Sequence, residues 1–258
     1  MTEKRPLVMA HRGGAALWPE NTMYAFERAV AMGVDVLEMD MRATADNHLV
    51  IIHDATVDRT TDGRGAVNTL TLEELKRLDA GSNWTADGGE SFPWRGRGLT
   101  VPTLAEVFAA FPDERLNIDI KQEHPSIVQP FCSMIRSHRM EGKVMVASFN
   151  QSSLDEFRAA CPEVATSGSV LDIRAFLMLK TDEAQAEVSR AARALQVPEY
   201  TGGRQLLTQA FIAEAHRRGL EVHAWTINEE AAMHRLITLK VDGIITDYPD
   251  RLLNLLKD

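Results

Sequence analysis

Only two cysteines, Cys132 and Cys161, occur in this chain, and they stand far apart with no CxxC spacing. That excludes a cysteine-built zinc site or a dithiol redox motif, and the reading is reduced thiols in a cytoplasmic protein. Long apolar runs are missing too. Nothing approaches the ~18 consecutive apolar residues of a membrane helix, so no stable membrane insertion is expected. The opening MTEKRPLVMAHRGG enters strand-like sequence within about six residues, which leaves no room for an apolar leader and cleavage site. Positive charge is in deficit: 28 Lys and Arg against 37 Asp and Glu leave a net charge of -9. Nucleic acid and anionic membrane surfaces, which call for a basic face, are thereby disfavoured. An anionic small-molecule partner would have to be held by a few local cations. Internal repeats, low-complexity tracts and linkers are absent, so residues 1–258 read as a single domain.

What is present is alternation. Short apolar runs at Leu7 to Ala10, Val36 to Met41, Leu116 to Lys121, Val144 to Ser148, Val164 to Gly168, Ala194 to Val197, Glu221 to Thr226 and Asp242 to Thr246 alternate with helix-like stretches. Eight strands in 258 residues predict an α/β fold, a TIM-type (β/α)8 barrel, with a doubly wound open sheet as the alternative. Leu49 to His53 reads as a β-hairpin extension after strand 2. Ser/Thr residues followed three positions later by Glu predict reciprocal helix caps at Thr71 and Glu74, Thr103 and Glu106, and Ser153 and Glu156. Thr22 to Met32, stopped by Gly33, is the first crossover helix. Gly81 to Thr100, with Trp84 and Trp94, is a long loop, either a lid or a surface excursion. Leu171 to Leu195 reads as two helices, with Phe176, Leu177 and Leu179 facing the core or forming an oligomer contact or a lipid-facing lip.

Chemistry gathers at the strand ends. In VLEMDM, Glu38 and Asp40 share one face while Leu37, Met39 and Met41 take the other. With the apolar set against the helices, both acids point into the barrel near its C-terminal mouth, where barrel enzymes keep their active sites. A two-residue loop at Asp46-Asn47 would pair Asp40 with His53 and fold the imidazole back beside the acids. The strand LNIDIK aligns Asn117, Asp119 and Lys121, and the first strand delivers His11 and Arg12 ahead of Gly13 and Gly14. Three converging carboxylates repel one another by on the order of 4 kcal/mol per pair at ~4 Å and an effective dielectric near ~20. A divalent cation resolves this, and an all-oxygen shell suits Mg2+ or Ca2+, with Mn2+ allowed, over zinc. Arg12 and Lys121 suit a phosphate oxygen, and two histidines can divide the roles of general base and general acid.

Taken in order, His11-Arg12-Gly13, Pro19-Glu20-Asn21-Thr22, Glu38-x-Asp40, His53-Asp54, Val101-Pro102-Thr103-Leu104, the Leu116 to Lys121 strand, Trp225-Thr226-x-Asn228 and Asp242 through Pro249 resemble the signature of glycerophosphodiester phosphodiesterases, over nearly the whole chain. The resemblance implies a TIM barrel and metal-dependent hydrolysis of glycerophosphodiesters, glycerophosphocholine for example, to sn-glycerol 3-phosphate and an alcohol. It implies His11 and His53 as the acid-base pair, one divalent cation on Glu38, Asp40 and Asp119, and the phosphate on Arg12 and Lys121. Glu20 would orient Arg12 or ligate the metal, and Trp225 would pack against the glycerol or leaving-group side. Asp119 departs from the family pattern, which more often has Glu there; Glu123 is the nearest spare acid, beyond the strand end.

Taken singly, these residues have blander explanations: a barrel-rim salt bridge for Arg12, core packing for Trp225, a solvated edge for Glu38 and Asp40. Competing functions are lysophospholipase D-like hydrolysis of lysolipids, which needs an apolar groove for an acyl chain with the Leu171 to Leu195 stretch as the candidate, and a catalytically silent phosphate-ligand binder. A metal-dependent sugar isomerase would leave Arg12 and Lys121 without a role.

Overall fold

The computed structural model describes residues 5–178 and 192–257. In chain order its strands are β1 (Leu7–Ala10), β2 (Val36–Ala43), the hairpin return β3 (Leu49–Ile51), β4 (Leu116–Ile120), β5 (Val144–Ala147), β6 (Ala165–Thr166), β7 (Ala194–Pro198), the short pair β8 (Tyr200–Thr201) and β9 (Arg204–Gln205), β10 (Glu221–Trp225) and β11 (Gly243–Thr246). The helices are α1 (Met23–Met32), α2 (Leu72–Lys76), α3 (Leu104–Ala110), α4 (Val128–Ser137), α5 (Gln151–Ala160), α6 (Val170–Met178), α7 (Gln209–Arg217), α8 (Glu230–Thr238) and α9 (Pro249–Leu255). Parallel pairing runs β6-β5-β4-β2-β1-β11-β10-β7. A bridge between Ser167 and Ala194, with Gly168 N donating to Ala194 O at 2.8 Å, draws the two ends together. The result is the nearly closed eight-stranded parallel barrel that the alternation predicts.

The strand periodicity explains the core. Leu37, Met39 and Met41 of β2 and Ile118 and Ile120 of β4 are buried in one apolar cluster with the helix residues Phe26, Phe108, Phe131 and Phe157. Burying such side chains, at roughly 1.5–3 kcal/mol each, is what holds the helices on the barrel. Alternation then leaves Glu38, Asp40, Asn117 and Asp119 for the interior, and all four are buried. The loop region after β3 carries a small core of its own, built from Val50, Ile52, Val57, Val67, Leu75, Ala80 and Val101. Helix starts behave as expected at Thr22, whose hydroxyl accepts from Ala25 N, and at the capping boxes of Thr71 with Glu74 and Thr103 with Glu106.

Several expectations are corrected. The hairpin pairs Met41 with Ile51 and Ala43 with Leu49, one residue out of the predicted register. Its loop is three residues long rather than two, because Asn47 takes a left-handed φ of 64° after a turn closed by Asn47 N on Thr44 O. Asp40 O therefore accepts from Ile52 N at 2.8 Å, so Asp40 faces Ile52 and not His53. Ser153 caps nothing: α5 begins earlier, at Gln151, and Ser153 is buried inside it. Glu156, freed from that role, accepts from Ser126 Oγ.

Cys132 and Cys161 are joined in a disulfide, against the reduced thiols expected. Sequence distance misled here, because α4 and α5 pack side by side and bring the two sulfurs together. Phe176 is buried, but Leu177 is exposed. The second half of the predicted helical pair, with Leu179, lies outside the described residues, and Leu195 belongs to β7.

Candidate active site

A cleft of about 590 Å3 opens at the C-terminal ends of the strands and is lined by His11, Arg12, Glu38, Asp40, His53, Asp119, Lys121 and Trp225. Strand register produces the convergence. β2 and β4 run parallel with Glu38 opposite Asn117 and Asp40 opposite Asp119, so two carboxylates sit side by side on neighbouring strands. β1 ends at Ala10, and the chain turns at once through His11–Gly13. Arg12 adopts a left-handed φ of 52°, a strained conformation of the kind found at functional sites. Its backbone N–H donates to Glu38 Oε2 at 2.9 Å. Gly13 has to be glycine: at φ 84° an added Cβ would lie 2.8 Å from that of Ala25.

The two histidines are built alike. His11 Nδ1 lies 2.6 Å from Asp247 Oδ1, and Asn228 Nδ2 donates to the other oxygen of that carboxylate at 2.7 Å. His53 Nδ1 lies 2.6 Å from Asp54 Oδ1. A carboxylate on Nδ1 fixes the tautomer and leaves Nε2 for the cleft. Although the hairpin register is not the expected one, His53 still reaches the cleft because the chain leaves the strand before it, and Arg42 Nε holds its carbonyl at 2.8 Å.

Electrostatics divides the three acids. Burial, reinforced by Asp40, pushes Glu38 up to about 7. Burial would raise Asp40 as well, but Lys121 and Arg12 outweigh it and hold that carboxyl below its usual range. Lys121 Nζ lies 2.6 Å from Asp119 Oδ2 and 3.2 Å from Asp40 Oδ1. Burial of Asp119 nonetheless outweighs its share of that cation and raises its pKa. Burial opposes charge on Lys121 and on His11; Asp119 and Asp40 overcome it for the lysine, and Glu38 with Asp247 for the histidine, so both pKa values rise.

Three carboxylates against Arg12 and Lys121 leave a net negative charge that a divalent cation and a phosphodiester monoanion together would neutralise. Asp119 Oδ1 is buried without a hydrogen-bond partner, a costly state for a carboxylate oxygen unless something binds it. The oxygen donors are of the type that suits a hard cation such as Mg2+ or Ca2+. As placed, the three carboxylates do not bring ligand atoms all within 4.8 Å of one another, so gathering them on one ion requires side-chain movement.

Arg12 Nε stands 3.1 Å from Asp40 Oδ2 as an ion pair, without the angle of a hydrogen bond. Its other end donates to Glu20 Oε1 at 2.9 Å. Glu20 does not line the cleft but stands behind Arg12, so of its two predicted roles the geometry favours orientation. Glu123 is exposed and bonded by Ser152, away from the cleft, and leaves Asp119 as the third acid. Trp84 and Trp94 line nothing here: the first donates to Ala15 O at 3.0 Å and the second packs on Tyr24 at 4.4 Å between ring centres.

Sequence reasoning gave no role to Asp54, Asp247, Asn228 and Asn21, although each stood inside a quoted motif. Asn21 Nδ2 donates to Asp40 Oδ2 at 2.9 Å and steadies that acid. Adjacency to His53 was a signal for Asp54; Asp247, which reaches His11 from the far end of the chain, had only its place in the Asp242 to Pro249 motif. Of the outer wall, Phe149 and Val170 were missed, whereas Ile173 and Leu177 fall in the Leu171 to Leu195 stretch expected to supply an apolar groove. Phe149 meets Trp225 edge-on at 5.6 Å, and Val170, Ile173 and Leu177 of α6 continue an apolar face along the cleft.

The chain matches the glycerophosphoryl diester phosphodiesterase family over residues 11–251. It is 36% identical to the glycerophosphodiester phosphodiesterase of Caldanaerobacter subterraneus subsp. tengcongensis, covering 98% of both chains. It is 33% identical to a Bacillus subtilis glycerophosphodiester phosphodiesterase, over 97% of this chain and 86% of that one. An Oleispira antarctica phosphodiesterase, solved in complex with its product sn-glycerol-3-phosphate, superposes with a TM-score of 0.80 at 25% identity, over 98% of each chain.

Proposed function

The chain belongs to the glycerophosphoryl diester phosphodiesterase family and is an enzyme of that class; from this premise we propose that it hydrolyses glycerophosphodiesters to sn-glycerol 3-phosphate and an alcohol by metal-assisted acid-base catalysis. One observation carries the reading: two imidazoles, each anchored through Nδ1 by a carboxylate, share a cleft with three buried acids and Arg12. Glu38, Asp40 and Asp119 would hold one divalent cation, which when bound polarises the phosphoryl oxygens and offsets charge developing on them.

The chain's own groups do the rest. Arg12 and Lys121 bind the non-bridging oxygens and orient phosphorus for in-line attack. One histidine Nε2 takes the proton of the attacking hydroxyl, either from water, which gives glycerol 3-phosphate directly, or from the substrate's glycerol 2-hydroxyl. The other protonates the alcohol oxygen as its bond to phosphorus breaks. The 2-hydroxyl route gives a cyclic glycerol phosphate that a water must then open at the bond from phosphorus to the 2-oxygen, with the two histidines exchanging roles. Asp247 and Asp54 keep both rings aimed and stabilise each imidazolium in turn. Trp225 covers the glycerol or leaving-group side.

The apolar wall of Phe149, Val170, Ile173 and Leu177 supports a second reading, lysophospholipase D-like cleavage of a monoacyl lipid whose chain would lie along α6. Among the described residues no helix is long and apolar enough to cross a membrane. Cytoplasmic residence belongs to the proposal, and the Cys132–Cys161 disulfide counts against it.

Phosphorus NMR tests the primary reading. A glycerophosphodiester incubated with protein and Mg2+, Ca2+ or Mn2+ should give way to a glycerol 3-phosphate monoester. A diester signal unchanged with every metal and every head group would refute it. A lysolipid turned over faster than glycerophosphocholine would favour the second reading.

A further inference from the structure

Arg59 lies outside the cleft, in the loop after β3, yet its guanidinium makes four hydrogen bonds to two carboxylates of the site's outer ring. Nη1 and Nη2 donate to Glu20 at 2.7 and 2.8 Å, and Nε and Nη2 donate to Asp54 at 2.7 and 3.2 Å. Glu20 is the residue that grips Arg12, and Asp54 is the residue on His53 Nδ1. We propose that Arg59 is a positioning residue that fixes Arg12 and His53 relative to each other by clamping Glu20 to Asp54. This rests on the phosphodiesterase reading above for what the two held residues do.

The contacts close a ring. From Asp40 they pass to Arg12, Glu20, Arg59, Asp54 and His53, whose carbonyl is held by Arg42, two residues from Asp40 on β2. Three separate stretches of chain are thereby locked together: the turn after β1, β2, and the loop carrying His53. A guanidinium suits the clamp because its planar fork can satisfy two carboxylates side by side, which a lysine ammonium does not reproduce. An isolated exposed ion pair would be worth little. Here Glu20 is largely buried and every partner has a second partner, so moving one group disturbs the next.

The region after β3 makes sense in this light. Its small apolar core fixes the loop, and Asn83 Nδ2 donates to the carbonyls of Asp58, Arg59 and Thr61 at 3.3, 3.2 and 2.6 Å. The stretch with Trp84 and Trp94 thus reaches the site through Arg59's backbone rather than by covering the cleft.

Kinetics and NMR on the full chain test the proposal. Arg59→Ala should lower kcat by on the order of 10- to 100-fold, the cost of a displaced catalytic group. Combined with Asp54→Asn, its effect on kcat/KM should be non-multiplicative; combined with Asp247→Asn, which serves the other histidine, it should multiply. The imidazole resonances of His53 should shift while those of His11 stay. Arg59→Lys, which keeps the charge, should reproduce the defect if the alanine variant folds poorly. Added guanidinium should restore part of the alanine variant's kcat. Wild-type-like kcat in either variant, or multiplicative behaviour in both pairs, would overturn the assignment. A wild-type protein inactive on every diester would instead refute the phosphodiesterase reading, and the His53 resonances would then decide Arg59's role alone.

Discussion

Glu38 shows what one residue's surroundings can dictate. Buried beside Asp40 and pushed up to about 7, it holds a proton through part of the neutral range unless a cation displaces it. The sign follows: a protonated carboxyl cannot ligate, so metal affinity should fall as pH drops through about 7. Calorimetry at pH 6 and pH 8 should find tighter binding at pH 8 and proton release at the lower pH; equal affinities would contradict a titrating Glu38 as a ligand, and no binding at either pH would contradict the cation site. His53→Ala should lower turnover by on the order of 100- to 10,000-fold, and near-parental kcat would remove His53 from the chemistry. Asp247→Asn should cost less, because it leaves the His11 ring in place with a weaker partner.

At the scale of elements, the strands were legible and their joints were not. β2 and β4 could be read because alternation sorts Leu37, Met39 and Met41 from Glu38 and Asp40, and Ile118 and Ile120 from Asn117 and Asp119. The hairpin could not be read to the residue, since Asp46-Asn47 suits both a two- and a three-residue loop and a single left-handed residue decides between them. His53 was still found, because a side chain beyond the strand end does not depend on register. The contacts of Asp247 with His11 and of Arg59 with Glu20, and the disulfide, were out of reach, each joining segments distant in sequence. The turn after β1 carries its own prediction. Gly13→Ala, strained at φ 84° and set against Ala25, should destabilise the protein by about 1–3 kcal/mol and displace Arg12. Chemical denaturation and KM would report the two effects, and an alanine variant unchanged in both would refute the close packing.

For the whole molecule, two constraints act together: a nearly closed barrel that aims eight strand ends at one cleft, and a disulfide that staples α4 to α5. The disulfide closes a loop of sequence separation 29, so reduction, or Cys161→Ser, should cost about 2–4 kcal/mol of stability with little loss of activity, since neither cysteine lines the cleft. Thiol titration of the unfolded, unreduced protein should find none free; two free thiols would return the chain to the reduced state first expected. The barrel's function is tested most directly by coupled detection of glycerol 3-phosphate from a panel of glycerophosphodiesters, before chelation, after it, and after add-back of Mg2+, Ca2+ or Mn2+. Release that stops with chelator and returns with a divalent cation is the predicted result. Silence on every diester with every metal, or full activity in excess chelator, would contradict a metal-assisted phosphodiesterase site.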